Sequence, residues 1–174
     1  QKLVEIAPSP TLSELLRARI TEAAVAMARK VGYRSLGTFE FLVDASREDR
    51  FVFIEANPRL QVEHTVTEAV TGIDLVRSQI RIAAGASLKD LGLTQPQVPA
   101  PRGHAVQLRI NMETMQADGG ALPAGGTITV YEPPGGAGIR VDGFGYAGYR
   151  TSAAFDSLLA KLIVHEPAAD HAAA

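Results

Sequence analysis

Cysteine is absent from all 174 residues. That removes disulfides, thiolate metal ligands and cysteine nucleophiles together, and it fits a cytosolic chain. Tryptophan is absent too, and aromatic residues make up only 6%. No run approaches the ~20 consecutive apolar residues that a membrane-spanning helix needs. No basic segment followed by an apolar run opens the sequence, so no signal peptide is readable. An excess of one charge is also lacking: 17 Lys and Arg stand against 19 Asp and Glu, a net charge of −2. Without a basic stripe, nucleic acid is not an expected partner. The His residues, at positions 64, 104, 165 and 171, have no zinc-ligand spacing.

What is present is the composition of a folded domain. Hydrophobic residues are 46% and charged residues 21%, close to the globular average. A chain of this length can bury roughly 70% of its unfolded surface. That suffices for one domain or two tightly packed subdomains. Gly and Pro fall mostly in the second half, which is expected to be rich in turns. Both ends read as cut from a longer polypeptide. Residues 1–6 enter a strand in mid-course without an initiator methionine, and residues 165–174 open an Ala-rich segment that stops.

Apolar residues Leu12, Leu16, Ile20, Ala23, Met27 and Val31 recur at helical spacing, after Thr11 or Ser13 as N-cap and before Gly32 as the residue past the end. Residues 12–31 are therefore expected to form an amphipathic helix. Two strand-like runs follow, 38–43 and 51–57, joined by a polar stretch that suggests a hairpin. A helical stretch over 66–85 is expected to break at Gly72 and to be recapped by Asp74. Residues 88–103 read as a Pro-containing linker. Residues 104–112 alternate, with Val106, Leu108 and Ile110 on one face and Gln107, Arg109 and Asn111 on the other. Further strands are expected at 127–131, 139–141 and 146–150, and a buried helix or strand at 157–164.

Three groups of residues carry chemistry. Glu40 and Glu55 each sit inside an apolar strand, where a carboxylate is costly unless paired or bound to a cation. If the hairpin closes Asp44 against Phe51, the two fall opposite each other. Like charges across a ladder repel, and a hard divalent cation would turn that repulsion into a site. Mg²⁺ takes one or two carboxylates and completes its shell with water and phosphate oxygens. Asn57, one pleat beyond Glu55, offers another oxygen. The alternative is an edge hairpin with both carboxylates in solvent. The second group is the run from Asn57 to His64, Asn-Pro-Arg-Leu-Gln-Val-Glu-His. Arg59 can hold a planar anion bidentately, Gln61 can bond the same anion, and Glu63 can act as a general base. An Arg59–Glu63 ion pair and a capping or core role for His64 are the competing readings. The third group is Pro133-Pro134-Gly135-Gly136-Ala137-Gly138-Ile139-Arg140. It lacks the Gly-Lys-Ser/Thr of a P-loop. It reads as a turn that delivers Arg140 from a strand start, or as a structural turn with an exposed Arg.

With these motifs the chain closely resembles the biotin carboxylase component of biotin-dependent carboxylases, which are ATP-grasp ligases. The resemblance rests on Gln1-Lys2, on Gly37-Thr38-Phe39-Glu40-Phe41 and, most specifically, on the run from Phe53 to His64. It continues through Thr71-Gly72-Ile73-Asp74-Leu75-Val76, Arg102-Gly103-His104-Ala105-Val106, Pro134-Gly135-Gly136, Arg140 and the run from Asp156 to Leu162, and so covers essentially the whole chain. It implies an α+β fold: residues 1–100 as the C-terminal half of an ATP-grasp core, an antiparallel sheet with helices, and 101–174 as the start of a Gly-rich biotin carboxylase C-terminal domain. It implies ATP-dependent carboxylation of biotin by bicarbonate through carboxyphosphate. Glu40, Glu55 and Asn57 would then hold Mg²⁺ or Mn²⁺ on the ATP phosphates, and Leu42 would pack on adenine. Lys2, Arg59, Gln61 and the backbone N–H of Val62 would hold bicarbonate, Glu63 would deprotonate it, and Arg140 would bind the biotin ureido oxygen. Expected partners are a biotin carboxyl carrier protein, a carboxyltransferase, the N-terminal part of the same enzyme, and a second copy in a homodimer. The expected location is the cytoplasm, or the mitochondrion in a eukaryote.

Two other readings stand beside this one. A non-catalytic interaction module would not need Glu40, Glu55, Arg59, Glu63 and Arg140 together. Another ATP-grasp ligase, of the carbamoyl phosphate synthase type, is disfavoured by Gln61-Val62-Glu63-His64 and by Arg140 after Pro-Gly-Gly. The family carries an N-terminal domain and a Gly-rich lid, both with ATP-contacting lysines, ahead of this region. The 174-residue chain alone is therefore expected to bind ATP weakly and not to turn it over. Biotin-stimulated ATP hydrolysis by the purified chain, measured as phosphate release, would contradict this.

Overall fold

The computed structural model describes residues 2–47 and 50–167. Gln1, Glu48, Asp49 and residues 168–174 lie outside the described residues. So do the first residue of the expected N-terminal strand, part of the hairpin connection and most of the expected Ala-rich segment. In chain order the elements are β1 (Val4–Ala7), α1 (Glu14–Lys30), β2 (Thr38–Val43), β3 (Phe51–Asn57), α2 (His64–Thr71) and α3 (Leu75–Ala83). Then come β4 (His104–Asn111), β5 (Glu113–Met115), β6 (Ala121–Pro123), β7 (Gly126–Thr127), β8 (Ile139–Gly143), β9 (Arg150–Thr151) and β10 (Leu158–Glu166). The fold is α+β with antiparallel sheets, as expected. The chain divides into two compact units, Pro8–Pro101 and a unit that joins β1 to the residues from Arg102 onward. It crosses between them after β1 and again after Pro101, so no single linear cut separates them.

In the Pro8–Pro101 unit, Ser13 caps α1: its side chain accepts from the Leu16 N–H at 3.3 Å. Glu14 in the first turn and Arg29 and Lys30 in the last complement the helix dipole. Leu16 is buried, whereas Val31, expected on the apolar stripe, is the C-cap and exposed. The strands of the β2–β3 hairpin run as expected. Phe41 meets the rings of Phe51 and Phe53 edge-on at 5.7 and 5.8 Å, and the Arg19 guanidinium lies 5.5 Å from the Phe51 ring centre. Asp44 starts the turn. Its carboxylate accepts from the amide and hydroxyl of Ser46, which hold its pKa below the usual carboxylate range. The expected helical stretch is two helices. Gly72, at φ 71°, ends α2, and the Asp74 carboxylate caps α3 by accepting from the Arg77 N–H at 2.7 Å.

The other unit is built on a four-stranded antiparallel sheet in the order β1-β4-β10-β8. The 157–164 run, left open between helix and strand, is a strand near the middle of that sheet. On β4 the polar face is the packed one. Gln107 is 0% exposed beside Ala105, while Leu108 and Ile110 are exposed. A carboxylate makes this tolerable. Glu5 on β1 accepts from Gln107 Nε2 at 2.9 Å and from Arg109 Nε at 2.6 Å. Two strand expectations are corrected. Residues 128–131 are not in a strand, and the Tyr131 side chain lies against Gly143 and Gly145 instead. Residues 146–149 turn, and only Arg150–Thr151 pairs, with Gly126–Thr127.

Gly138, at φ 73°, marks where β8 begins, and a Cβ built there would overlap the carbonyl oxygen of His165. Gly119 also has a positive φ, 85°, but meets nothing within 4 Å. Gly138→Ala is expected to cost about 2–4 kcal/mol by urea unfolding, and Gly119→Ala about 1 kcal/mol. Equal costs would mean that only backbone strain matters at Gly138.

Candidate active site

The site is built on one irregularity in the β2–β3 ladder. Near the turn the register is regular: Val43 opposes Phe51, Leu42 opposes Val52 and Phe41 opposes Phe53. The next pair is Glu40 with Glu55, so Ile54 is an extra residue, a β-bulge. Side chains alternate along a strand, so regular pleating would put Glu55 on the face of Phe51 and Phe53. The bulge shifts it to the face of Glu40. The two carboxylates do face each other, as expected, but not because Asp44 pairs with Phe51. Asp44 donates its N–H to the Arg50 carbonyl at 3.2 Å, one residue out of that register, and the bulge restores it.

Asn57 joins them. It is buried, and its Nδ2 donates to Glu55 Oε1 at 2.7 Å and to Glu40 Oε1 at 3.2 Å. Gln61 Nε2 also donates to Glu40 Oε1 at 3.2 Å, while Gln61 Oε1 is buried with no hydrogen-bond partner. Among the described residues no group of three His, Cys, Asp or Glu side chains is placed to hold a metal. The cluster is two carboxylates with two amides. This donor set fits a hard divalent cation. All the available ligand atoms are oxygens, two carboxylates match the usual Mg²⁺ complement, and polarised N–H groups stand where positive charge is wanted. Beside Glu40 on the same face, Leu42 and its partner Val52 form an apolar strip, 62% and 61% exposed.

The run after β3 turns sharply. The Arg59 N–H donates to the Asn57 carbonyl at 2.8 Å, and residues 62 and 63 form a turn into α2. Glu63 occupies the N-cap position of α2 in helical conformation, without capping the helix through its side chain. Arg59, Gln61 and Glu63 share the wall of a cavity of about 490 Å³ with Phe39, Phe41 and Leu60. His64 takes the local role that competed with a functional one. Its Nδ1 lies 2.8 Å from the Gln61 carbonyl and its Nε2 3.9 Å from Glu68.

Lys2 and Arg140 lie in the other unit. Lys2 precedes β1, where the Leu3 carbonyl accepts the Arg109 N–H at 3.0 Å. Arg140 on β8 donates through Nε and Nη2 to the two oxygens of Asp142, at 2.8 and 2.9 Å. Lys161 Nζ stands 3.7 Å from the same carboxylate. Asp142 and Lys161 were not singled out from the sequence, although two-residue spacing from Arg140 inside a strand puts Asp142 on its face. The Gln61–Glu40 bond spans a separation that no periodicity reveals.

Residues 1–91 match the family described as carbamoyl-phosphate synthase L chain, ATP binding domain, and residues 107–174 match the biotin carboxylase C-terminal domain. The chain is 50% identical over 167 residues to a biotin carboxylase of Nostoc sp., covering 96% of this chain and 36% of that protein. It is 51% identical over 162 residues to a pyruvate carboxylase of Aspergillus niger, covering 92% of this chain and 13% of that protein. The biotin carboxylase domain of the Hydrogenobacter thermophilus 2-oxoglutarate carboxylase superposes with a TM-score of 0.86 at 46% identity, covering 96% of this chain and 35% of that one. That structure is described as a dimer in complex with MgADP, ADP and bicarbonate. The chain thus spans about a third of the Nostoc relative and less of the pyruvate carboxylase. Matched in both its parts and half identical to relatives over nearly its whole length, the chain belongs to the biotin carboxylase family of ATP-grasp ligases.

Proposed function

We propose that this chain is the part of a biotin carboxylase that receives the metal-bound phosphates of ATP and bicarbonate, and supplies the base that makes bicarbonate a nucleophile. The observation that carries the proposal is the hairpin cluster. Glu40 and Glu55 are opposed on one face, bridged by Asn57, and linked through Gln61 to the cavity that Arg59 and Glu63 line.

Glu40, Glu55 and Asn57 would hold a divalent cation, Mg²⁺ or Mn²⁺, which would supply charge neutralisation on the transferring phosphate. Leu42, exposed with Val52, offers the apolar strip against which adenine packs. Arg59 grips bicarbonate through its planar guanidinium, with the Lys2 ammonium, the Gln61 amide and the Val62 N–H as further donors. Glu63 takes the hydroxyl proton of bicarbonate, and the freed oxygen attacks the γ-phosphorus. The new P–O bond forms as the bond to ADP breaks, giving carboxyphosphate. Carboxyphosphate breaks into CO₂ and inorganic phosphate, the phosphate takes the N1 proton of biotin, and the N1 so freed forms its bond to the CO₂ carbon. Arg140 binds the ureido oxygen and stabilises the negative charge that develops there. The fork grip of Asp142 on Nε and Nη2 fixes the plane of that guanidinium. The Hydrogenobacter relative, described with MgADP and bicarbonate, supports the nucleotide and anion assignments by likeness. The proposal extends to a biotin carboxyl carrier protein and a carboxyltransferase as partners, and to pairing of two copies.

The test uses the chain completed with the segments that its longer relatives carry before and after it. ATP cleavage with Mg²⁺ is expected to require both bicarbonate and biotin. Glu63→Gln is expected to lower it by about 10²-fold or more, with the ATP KM little changed. Cleavage that is indifferent to biotin would point to another acceptor and overturn the proposal. Full activity in Glu63→Gln would remove Glu63 as the base.

A further inference from the structure

We infer that the Gln61 side-chain amide is a two-position switch: a cation on Glu40 turns it from that carboxylate towards the bound oxoanion, so that cation occupancy raises oxoanion affinity. The inference rests on the proposed function, since it takes Glu40 as a cation ligand and the cavity of Arg59 and Glu63 as the anion site.

The observation behind it is an asymmetry within one side chain. Gln61 Nε2 donates to Glu40 Oε1 at 3.2 Å, yet Gln61 Oε1 is buried and has no hydrogen-bond partner. A buried acceptor left without a hydrogen bond is destabilising. The amide tolerates that cost because the carboxylate opposite another carboxylate gains an N–H donor. The backbone of Gln61 does not turn with it. Its carbonyl is anchored by the His64 N–H at 3.2 Å and by the His64 ring at 2.8 Å. The last torsion of Gln is soft and roughly two-fold, so turning the amide over exchanges N for O at little steric expense.

The two orientations have opposite consequences. A bicarbonate ion presents acceptor oxygens and one hydroxyl, so it is attracted by N–H groups and repelled by a carbonyl oxygen. While Nε2 serves Glu40, that N–H is withheld from an anion in the cavity that Gln61 helps to line. A cation on Glu40 supplies the positive charge that the N–H was supplying and repels that N–H. The amide then turns, its oxygen faces the cation side, and its N–H groups become available to the anion. Asn57, whose Nδ2 is shared between both carboxylates, also has to turn its oxygen to the cation, but unlike Gln61 it does not line the anion cavity. Gln61 is thus a positioning residue that ties two subsites together, beyond its role as an anion ligand.

The experiment uses the full 174-residue chain with magnesium chloride and potassium bicarbonate as probes. Dissociation constants come from ¹⁵N NMR titrations, and the Gln61 side-chain amide signal is identified by its loss in Gln61→Met. Mg²⁺ alone is expected to shift that signal and to lower the bicarbonate Kd by about fivefold or more. In Gln61→Met the Mg²⁺ Kd is expected to stay within about threefold, while the bicarbonate Kd no longer depends on Mg²⁺. Gln61→Glu is a second variant that does not rely on Met packing. It is expected to tighten Mg²⁺ and weaken bicarbonate together. A bicarbonate Kd that ignores Mg²⁺ in the unmodified chain, or depends on it equally in Gln61→Met, overturns the switch and leaves the two subsites standing. Mg²⁺ that fails to bind the unmodified chain, or binds Glu40→Gln equally well, overturns the cation reading and the switch with it.

Discussion

Two carboxylates facing each other across an antiparallel pair repel, and a fold that keeps them there has to supply positive charge. Everything about the β2–β3 hairpin serves that constraint. The bulge at Ile54 turns Glu55 from the aromatic face to the face of Glu40. Asn57 then places one amide nitrogen against both carboxylates, and Gln61 adds a second nitrogen to Glu40. Behind the pair, Phe39, Phe41, Phe51 and Phe53 pack edge-on or tilted and hold the ladder in register. In front, Leu42 and Val52 stay exposed. A hairpin built for stability alone would bury those two and separate the acids. This one keeps apolar surface and opposed charge side by side, the combination a nucleotide with its metal requires.

The sheet unit follows the same logic with cations added to an amide. Glu5 is nearly enclosed, and Gln107 and Arg109 satisfy both of its oxygens. Removing one member of such a pair leaves a buried charge without compensation, at a cost of about 3–5 kcal/mol. Arg109 also ties its backbone to the Leu3 carbonyl, next to Lys2. On β8, Asp142 holds the Arg140 guanidinium by a fork contact and is itself approached by Lys161. In both places an acidic residue holds an arginine side chain in one geometry. Restricting the rotamers of long side chains in this way is what preorganised binding of an anion or a ureido oxygen needs.

Local chemistry was legible in the sequence, and pairing chemistry was not. The strand limits of the hairpin, the break at Gly72 and the Asp74 cap follow from residues acting on their immediate neighbours. The bulge does not, because alternation predicts faces only while pairing stays regular. It was the face of Glu55 that depended on it. The buried face of β4 was hidden for another reason. Gln107 and Arg109 look solvent-facing until Glu5, some hundred positions away in sequence, is brought beside them. The runs around Tyr131 and Tyr146 have strand propensity, but they pair only at their near ends, through Gly126–Thr127 with Arg150–Thr151 and the bonds of Ile128 to Gly148 and Tyr149. The Tyr131 side chain covers glycines on and after β8 instead. The motif run from Asn57 to His64 gave the family, whereas the Gln61–Glu40 bond and the Asp142 grip emerged only from the fold.

The account stands or falls on whether the opposed carboxylates hold a cation. The most direct measurement is an electron paramagnetic resonance titration of the chain with Mn²⁺, alongside Glu55→Gln. The account predicts one site of bound Mn²⁺ in the unmodified chain and its loss in Glu55→Gln, with the variant at least as stable to heat because the like-charge pair is gone. Equal Mn²⁺ binding by both proteins would contradict it. The opposed acids would then be a structural feature of the hairpin rather than a metal site.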